Sequence, residues 1–360
     1  MDDIPFKIFT STFHKKFMIY GKNLTLRRLM NYSLVYASLK LKQPRVWGKP
    51  LSLFIEPTNI CNLKCPLCPT GNNSVPKSKG YMQFDHFKHV IDTLGPTALS
   101  VTLWNYGEPF LNKQSFDMIR YAKLKGLKVI TSTNGFVFKN KENIDRIIDS
   151  GLDEIIFAVD GASAETYNKY RINGNFDELI EGIKLLAEEK KRRKSFFPYM
   201  SMQFIIMKNN EHEVEDIQKL AKEIGVDELI LKTVYLFNDA EMAEKYLPHN
   251  KKYSRYLTDE GVACKTSIRP GCDGLWIGVN INYDGTIVPC CFDTHEKFKF
   301  GNIVDTKDFM NEIWNSKKFI AFRKNVWEDK GSVEMCKNCP TNTESQDYAR
   351  IKYPELVAST

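Results

Sequence analysis

Apolar runs of strand length alternate with amphipathic stretches of helical length between residues 49 and 235. The six strand-like runs are 51–55, 101–104, 128–133, 154–159, 200–207 and 228–233. The helical stretches between them are 84–94, 113–125, 141–149, 176–191 and 211–224. This alternation predicts a parallel α/β sheet with right-handed crossovers. Six strands are too few for a closed eight-fold barrel, so we predict a partial (β/α)6 TIM-like barrel with its functional residues at the carboxyl ends of the strands.

The chain on either side of this repeat has a different pattern. Residues 1–48 mix apolar and basic positions and predict one or two basic amphipathic helices, which either pack on the barrel or contact a membrane surface or an acidic partner. Residues 236–262 are polar without a clear period and are interpreted as a linker. Residues 263–345 predict a small cysteine-rich domain with short strands near 277–281 and 286–288 and a helix near 306–315, and residues 346–360 predict a tail.

The charge of the chain is concentrated at its beginning. The net charge of all 360 residues is +7, yet residues 1–50 contain ten Lys or Arg and two Asp, a balance of +8 that leaves −1 for the rest. No run of 18 apolar residues predicts a spanning helix, and the start Met1-Asp2-Asp3 does not match a secretory signal. We therefore expect a cytoplasmic protein, with residues 1–48 as a candidate for contact with the inner membrane surface, and no nucleic-acid partner.

The nine cysteines fall into two clusters with none between residues 69 and 263. Cys61, Cys65 and Cys68 form a C-x3-C-x2-C motif directly after the first predicted strand. Thiolates are the usual ligands of iron–sulfur clusters, and three of them leave one iron of a four-iron cluster open to a small molecule. The alternative is a zinc site, but structural zinc takes four protein ligands and no histidine lies nearby in the sequence.

At these residues the sequence resembles the radical SAM superfamily over about residues 50–235. The resemblance implies a [4Fe-4S] cluster on the three cysteines and S-adenosylmethionine (SAM) bound to its open iron, which together yield a 5′-deoxyadenosyl radical. Asn105-Tyr106-Gly107-Glu108-Pro109 is similar to the family's G-G-E-P motif, with Tyr106 in place of the first glycine. The resemblance implies that Glu108 accepts a hydrogen bond from the methionine ammonium of SAM.

Further cofactor contacts are implied at the ends of the later strands. Thr133 and Asn134 stand where the family often contacts the ribose or adenine, and Asp160 belongs to a motif similar to S-x-D-G in which Ala158 replaces the serine. Arg171, eleven residues after Asp160, corresponds to an arginine that pairs with the SAM carboxylate. Gln203 on the fifth strand is a further candidate.

The second cysteine cluster provides four candidate ligands: Cys272, Cys290, Cys336 and Cys339. Their spacing, C-x17-C-x45-C-x2-C, resembles the short form of the SPASM extension, or twitch domain, which holds an auxiliary [4Fe-4S] cluster. Four cysteines would also suit structural zinc. The spacing favours Cys290 over Cys291, which is expected to pack in the core, while Cys264 is either a buried thiol or an extra ligand.

A fully ligated auxiliary cluster would handle electrons and not bind substrate. We therefore expect a radical SAM oxidoreductase that carries out a two-electron oxidation of a small polar or sugar-like metabolite, reduced by a partner such as flavodoxin or ferredoxin. Asp293 is the candidate base for the substrate proton. Two alternatives stay open: modification of a peptide or protein by epimerisation, cross-linking or enzyme maturation, and a metal-stabilised scaffold or membrane-surface protein without chemistry.

Overall fold

Six parallel strands form the centre of the molecule. The computed structural model describes residues 23–75, 78–236, 240–257, 263–264, 270–337, 339 and 347–353. In it the strands lie side by side in chain order, with the bounds β1 Ser52–Ile55, β2 Ser100–Thr102, β3 Lys128–Thr133, β4 Glu154–Ala158, β5 Tyr199–Ile206 and β6 Glu228–Thr233. Every neighbouring pair in this series is parallel. The predicted partial TIM-like barrel is confirmed.

Helices connect these strands and cover one face of the sheet. The first helix, α1, is Leu26–Lys40, and the crossovers that follow are α2 Phe84–Leu94, α3 Ser115–Leu124, α4 Glu142–Asp149, α5 Ala164–Tyr170, α6 Phe176–Arg192 and α7 Val214–Glu223. Side chains on alternate strand positions, such as Leu53 and Ile55, are fully buried against these helices. The sequence pattern did not predict α5, because its seven residues are too few to show a helical period.

The cysteine-rich segment continues the same sheet and is not a separate layer. Its strand β9 (Gly278–Ile281) pairs in parallel with β1, and β10 (Thr286–Val288) and β11 (Gly301–Asn302) follow in antiparallel order. Ile277, expected to begin the strand 277–281, ends a short helix, Gly274–Ile277. The helix expected near 306–315 is a π-helix, Phe309–Trp314, followed by an α-helix, Lys317–Glu328, that the pattern did not predict.

Two segments expected to lack structure have it. The supposed tail contains β12 (Asp347–Lys352), which pairs antiparallel with β6 and closes the other edge of the sheet. The supposed linker contains the helix Ala240–Tyr246 and the strand β7 (Tyr256–Leu257), which pairs with β8 (Ala263–Cys264). The sequence pattern did not predict that helix, because it is only seven residues long and buries just Ala243 and Tyr246.

Helix α1 docks on the barrel through a stripe that is mostly polar. Arg28, Asn31, Val35 and Ser38 are its buried residues. The Arg28 guanidinium donates to the carbonyl oxygens of Gly126 (2.7 Å), Lys125 (2.8 Å) and Gly95 (3.1 Å), and to that of Asn23 (2.7 Å). None of the described helices is long and apolar enough to cross a membrane. The part of the amphipathic segment before residue 23 lies outside the described residues.

Replacing Arg28 with Ala tests this docking. The change leaves several carbonyl oxygens without their donor in a buried interface, so we expect the free energy of unfolding to fall by about 3 kcal/mol. The matched control is Arg27→Ala on the exposed side of the same helix, which should change stability by less than about 0.5 kcal/mol. Urea titration followed by tryptophan fluorescence measures both. Equal effects of the two changes would contradict the docking described here.

Candidate functional site

The first cysteine cluster occupies the loop that leaves the carboxyl end of β1. Cys65 is buried, and Cys61 and Cys68 are half-buried. Nitrogen donors point at two of the sulfurs: the Leu63 amide and the Asn134 side-chain amide lie 3.4 and 3.6 Å from Cys61 Sγ, and Arg171 Nη1 lies 3.6 Å from Cys65 Sγ. Such donors stabilise thiolate character, so the loop suits a metal-bound thiolate group.

Burial keeps these thiols protonated until a metal replaces the protons. Burial raises the pKa of Cys61 to about 12 and also raises that of Cys65. Metal binding to such cysteines therefore releases protons. No three His, Cys, Asp or Glu side chains among the described residues come together tightly enough for a single metal ion. Iron–sulfur clusters spread their thiolates over several iron atoms.

Glu108 connects the cysteine loop to the ends of β2 and β3. Its carboxylate is 2% exposed and accepts hydrogen bonds from Thr133 Oγ1 (2.9 Å), the Asn134 amide (2.8 Å) and the Phe110 amide (3.2 Å). The Glu108 amide donates to the Ile60 carbonyl oxygen, next to Cys61, at 2.9 Å. Burial raises the pKa of Glu108 to about 7. Glu108, Thr133 and Asn134, singled out from the sequence, thus form one cluster beside Cys61.

Gly107 allows this close approach. A Cβ at position 107 would lie 1.9 Å from the Thr58 carbonyl oxygen and 3.0 Å from that of Ile60. Both contacts are with backbone atoms that cannot move aside without shifting the cysteine loop. Glycine at this position is therefore required for the loop to rest on the end of β2.

Asp160 and Arg171 form a buried pair on the other side of the cysteine loop. Asp160 is fully buried at the end of β4, and its Oδ2 lies 2.6 Å from Arg171 Nε and 2.5 Å from Arg171 Nη2. Asp160 Oδ1 accepts from the Ile205 amide at 2.7 Å. The pair leaves Arg171 Nη1 pointing at Cys65 Sγ. The structure thus makes Asp160 the residue that orients Arg171 toward the first cysteine cluster.

Gln203 and Tyr106 have less defined environments. Gln203 and Ile205 are half-buried and share the face of β5 on the inner side of the barrel. Tyr106 is half-buried, and its carbonyl oxygen lies 3.9 Å from Cys68 Sγ. Burial raises the pKa of the Tyr106 hydroxyl well above its ordinary value, and the nearby thiols of Cys291, Cys68 and Cys290 act in the same direction. Tyr106 therefore stands between the two cysteine clusters.

The second cysteine cluster also comes together in space. Cys336 and Cys339 are buried and Cys272 is half-buried. Burial raises the pKa of Cys272 and raises that of Cys336 to about 12, and in each case the other members of the cluster add to the effect. Cys290 is half-buried with Cys272 and Cys336 among its neighbours.

Cys291 does not pack in the core as expected. It is exposed. The two adjacent thiols follow β10 in a turn, not in a strand, so they need not face opposite ways. Only the backbone of Cys264 is described, in the strand that pairs with Tyr256–Leu257.

Asp293, the candidate base, caps a turn in the structure. Its carboxylate is buried and accepts hydrogen bonds from the Lys297 amide (2.8 Å) and the Phe298 amide (2.9 Å). Both oxygens thus cap the turn that follows the second cysteine cluster. These contacts give Asp293 a turn-capping role, and its role as a base stays a prediction.

Sequence reasoning missed several residues around the site. Asn62 Oδ1 accepts from the Asn134 side-chain amide at 3.0 Å and so fixes the group that points at Cys61. The side-chain nitrogen Nζ of Lys232, on β6, lies 4.0 Å from Asp347 Oδ1. Cys291 also interacts electrostatically with Lys232. The ring of Tyr235 packs on Phe292 with centroids 4.6 Å apart. A charged residue near the end of an otherwise apolar strand was the available signal for Lys232.

Comparisons with protein families agree with this geometry. Residues 55–221 match the model of the radical SAM superfamily, and residues 272–340 match that of SPASM, an iron–sulfur cluster-binding domain. Together the two matches span well over half of the chain. The chain carries a radical SAM domain followed by a SPASM domain. Its radical SAM domain implies a [4Fe-4S] cluster and SAM, and its C-terminal SPASM domain implies auxiliary iron–sulfur binding.

The names of the relatives describe different activities. The chain is 31% identical to an AdoMet-dependent heme synthase of Methanosarcina barkeri over 47% of its own length and 46% of the relative's. It is 24% identical to a tungsten-containing aldehyde ferredoxin oxidoreductase cofactor-modifying protein of Pyrococcus furiosus, over 75% of this chain and 82% of that one. The chain thus spans about half the length of the heme synthases it matches.

Solved structures share the fold at low identity. Streptococcus suis SuiB bound to S-adenosylmethionine superposes with a TM-score of 0.59 at 16% identity, covering 93% of this chain and 83% of SuiB. The structure of anSMEcpe with bound AdoMet superposes with a TM-score of 0.54 at 18% identity, covering 83% of this chain and 89% of that one.

The raised pKa of Glu108 predicts a pH-dependent stability. Between the ordinary value of 4.5 and about 7 the unfolded carboxyl is ionised while the folded one is still protonated. Stability should therefore fall as pH rises through this window, by roughly 3 kcal/mol in total, and level off above about pH 7. In Glu108→Gln this part of the pH dependence should be absent.

Urea titrations of the metal-free protein at several pH values between 4.5 and 8 measure the difference between the two proteins. The matched control is Glu213→Gln, which removes another buried carboxylate that accepts from the Ala162 amide and Ser163 Oγ. This control should keep the dependence that Glu108 causes. Parallel pH profiles of the wild type and Glu108→Gln would contradict the assignment to Glu108.

Proposed function

We propose that this chain is a radical SAM oxidoreductase that binds a [4Fe-4S] cluster on Cys61, Cys65 and Cys68 and an auxiliary [4Fe-4S] cluster on Cys272, Cys290, Cys336 and Cys339. When bound, the first cluster supplies the electron that cleaves SAM to the 5′-deoxyadenosyl radical, and the second supplies an acceptor for an electron from the substrate. The expected overall reaction is a two-electron oxidation that begins with removal of a hydrogen atom.

The observation that carries this proposal is the unequal number of thiols at the two sites. Three thiols share the loop after β1, and the charged or amide groups around them, Glu108, Asn134 and Arg171, are not metal ligands. The second site has four thiols at the spacing described above. A three-thiol cluster leaves an iron open, and a four-thiol cluster does not.

The residues around the first cluster are suited to hold the amino-acid end of SAM. Glu108 offers a buried carboxylate for the ammonium group, and such charge-assisted hydrogen bonds are strong where water is excluded. Arg171, fixed by Asp160, offers a cation for the SAM carboxylate while it faces Cys65. Thr133 and Asn134 hold Glu108 in place and line the same edge of the barrel. Gln203 would contact the nucleoside from β5.

A small cavity beside the first cysteine loop, with room for about one water molecule, is lined mostly by polar side chains. Its lining residues are Glu56, Asn59, Pro69, Thr70, Asn73, Val75, Lys79, Tyr106 and Thr294. Carboxylate, amide and hydroxyl groups of this kind recognise hydroxyl or amino groups of a metabolite. The reductant would be a flavodoxin or ferredoxin.

Modification of a peptide or of another enzyme is the second candidate. The name of the Pyrococcus furiosus relative, which describes a cofactor-modifying protein, favours it because that match extends over three quarters of the chain. The same two cysteine clusters would serve either kind of substrate, so this alternative changes the substrate and leaves the proposed chemistry at SAM intact.

Removing the first cysteine cluster tests the proposed activity. We expect Cys61→Ala/Cys65→Ala/Cys68→Ala to abolish reductive formation of 5′-deoxyadenosine from SAM, measured by chromatography after anaerobic reduction with dithionite. Cys291→Ala, which removes an exposed thiol outside the proposed ligand sets, is the control and should keep cleavage. Persistent 5′-deoxyadenosine formation in the triple variant would refute the assignment.

Iron analysis tests the two-cluster composition separately. Anaerobic reconstitution should give about eight irons per chain, and Cys272→Ala/Cys336→Ala should retain about four, because each four-iron cluster depends on its own thiols. Iron and zinc are measured together by mass spectrometry. About four irons plus one zinc in the wild type would contradict the auxiliary cluster while leaving the SAM site untouched.

A further inference from the structure

Helix α1 presents several large apolar residues to the outside, and the stripe that it turns to the barrel is mostly polar. Leu26, Leu29, Met30 and Leu34 are 74%, 46%, 60% and 43% exposed, whereas Arg28, Asn31 and Ser38 are buried. With 3.6 residues per turn the exposed residues lie on the side of the helix opposite the docked stripe. We call the surface of Leu26, Leu29, Met30 and Leu34 the outer face. An ordinary surface helix has the reverse arrangement.

The docking contacts hold the outer face in this orientation. Arg28 donates to four backbone carbonyl oxygens of the barrel and of the chain before the helix. The Asn31 side chain donates to the carbonyl oxygens of Lys49 and Thr97 and accepts from the Lys49 amide at 2.7 Å. Turning the helix to bury its leucines would break these bonds, so the exposure of the outer face is built into the fold.

Positive charges flank the outer face. Arg27, Lys40 and Lys42 are exposed, and none of them forms a salt bridge with a carboxylate of the described residues. Two further large apolar side chains, Leu41 (60% exposed) and Trp47 (47% exposed), follow at the end of the helix. Residues 1–50 carry a balance of +8, against −1 for the rest of the chain.

We propose that the outer face of α1 docks on an anionic lipid bilayer, with Leu26, Leu29, Met30 and Leu34 inserted among the acyl chains and Arg27, Lys40 and Lys42 at the headgroups. A convex helical surface with an apolar strip and basic flanks is the chemistry that binds at a bilayer interface. The anionic leaflet attracts each basic residue near its surface. The helix lies in the interface and the barrel stays outside the hydrocarbon.

Charge argues for lipid and against a second copy of the chain as the occupant of the outer face. In a symmetric dimer through this surface, Arg27, Lys40 and Lys42 of one copy would face the same cations of the other. Like charges opposed in an interface are destabilising. An anionic bilayer neutralises them at the same time as it covers the leucines. The proposal does not depend on the chemistry of the cysteine clusters.

Sedimentation with vesicles tests the proposal on the full-length, reconstituted protein. Vesicles of phosphatidylcholine and phosphatidylglycerol at 3:1 are compared with pure phosphatidylcholine. We expect binding to the mixed vesicles, at least about tenfold weaker binding to the neutral ones, and about a tenfold loss in Leu26→Gln/Met30→Gln, whose side chains are exposed and not needed for folding. Arg27→Gln/Lys40→Gln should weaken binding to mixed vesicles only.

A matched control and two contrary outcomes complete the test. Tyr348→Gln removes another exposed apolar side chain, on β12, and should bind like the wild type. Undiminished vesicle binding by Leu26→Gln/Met30→Gln would overturn the role of the outer face. A concentration-dependent dimer that this variant abolishes, without vesicle binding by the wild type, would overturn the lipid proposal in favour of a second copy.

Discussion

The buried carboxylate of Glu108 joins the parts on which the rest of the site depends. Its carboxylate accepts hydrogen bonds from Thr133 and Asn134 and so joins the end of β2 to the end of β3. The Glu108 backbone amide donates to the Ile60 carbonyl oxygen and so holds the cysteine loop. The contact requires Gly107, because any side chain there would strike the Thr58 carbonyl group. A carboxylate held in this way cannot relax away from a cation, so the SAM ammonium group that we propose it binds would meet a site that is already organised.

The continuous sheet fixes the relation between the two cysteine clusters. Strand β9 of the SPASM domain pairs with β1, whose carboxyl end carries the first cluster. The pairing of these two strands therefore holds the two cysteine clusters at a fixed separation, and Tyr106 lies between them. A fixed separation would suit the proposed transfer of an electron from the substrate to the second cluster.

The structure could be predicted from the sequence where the apolar periodicity is regular and where cysteines occur at a ligand-like spacing. The strand and helix alternation predicted β3, β6 and α2 to the residue, and the C-x3-C-x2-C motif located the first cluster. Prediction failed where short elements obtain their stability from distant partners. The strand β12 forms because β6 offers an open edge, and the helix 240–246 forms because Tyr246 packs on Tyr170. The amide partners of Asp293 could not be predicted, because they are fixed only by the folded turn.

The central claim is that the three-thiol cluster is open to a ligand and the four-thiol cluster is closed. Electron paramagnetic resonance of the reduced protein, with and without SAM, tests it in two variants that each keep one cluster. In Cys272→Ala/Cys336→Ala, SAM should shift the g values of the remaining [4Fe-4S] signal, because SAM binds its open iron. In the variant without Cys61, Cys65 and Cys68 the signal should not respond. A response of the four-thiol cluster, or none from the three-thiol cluster, would contradict the account.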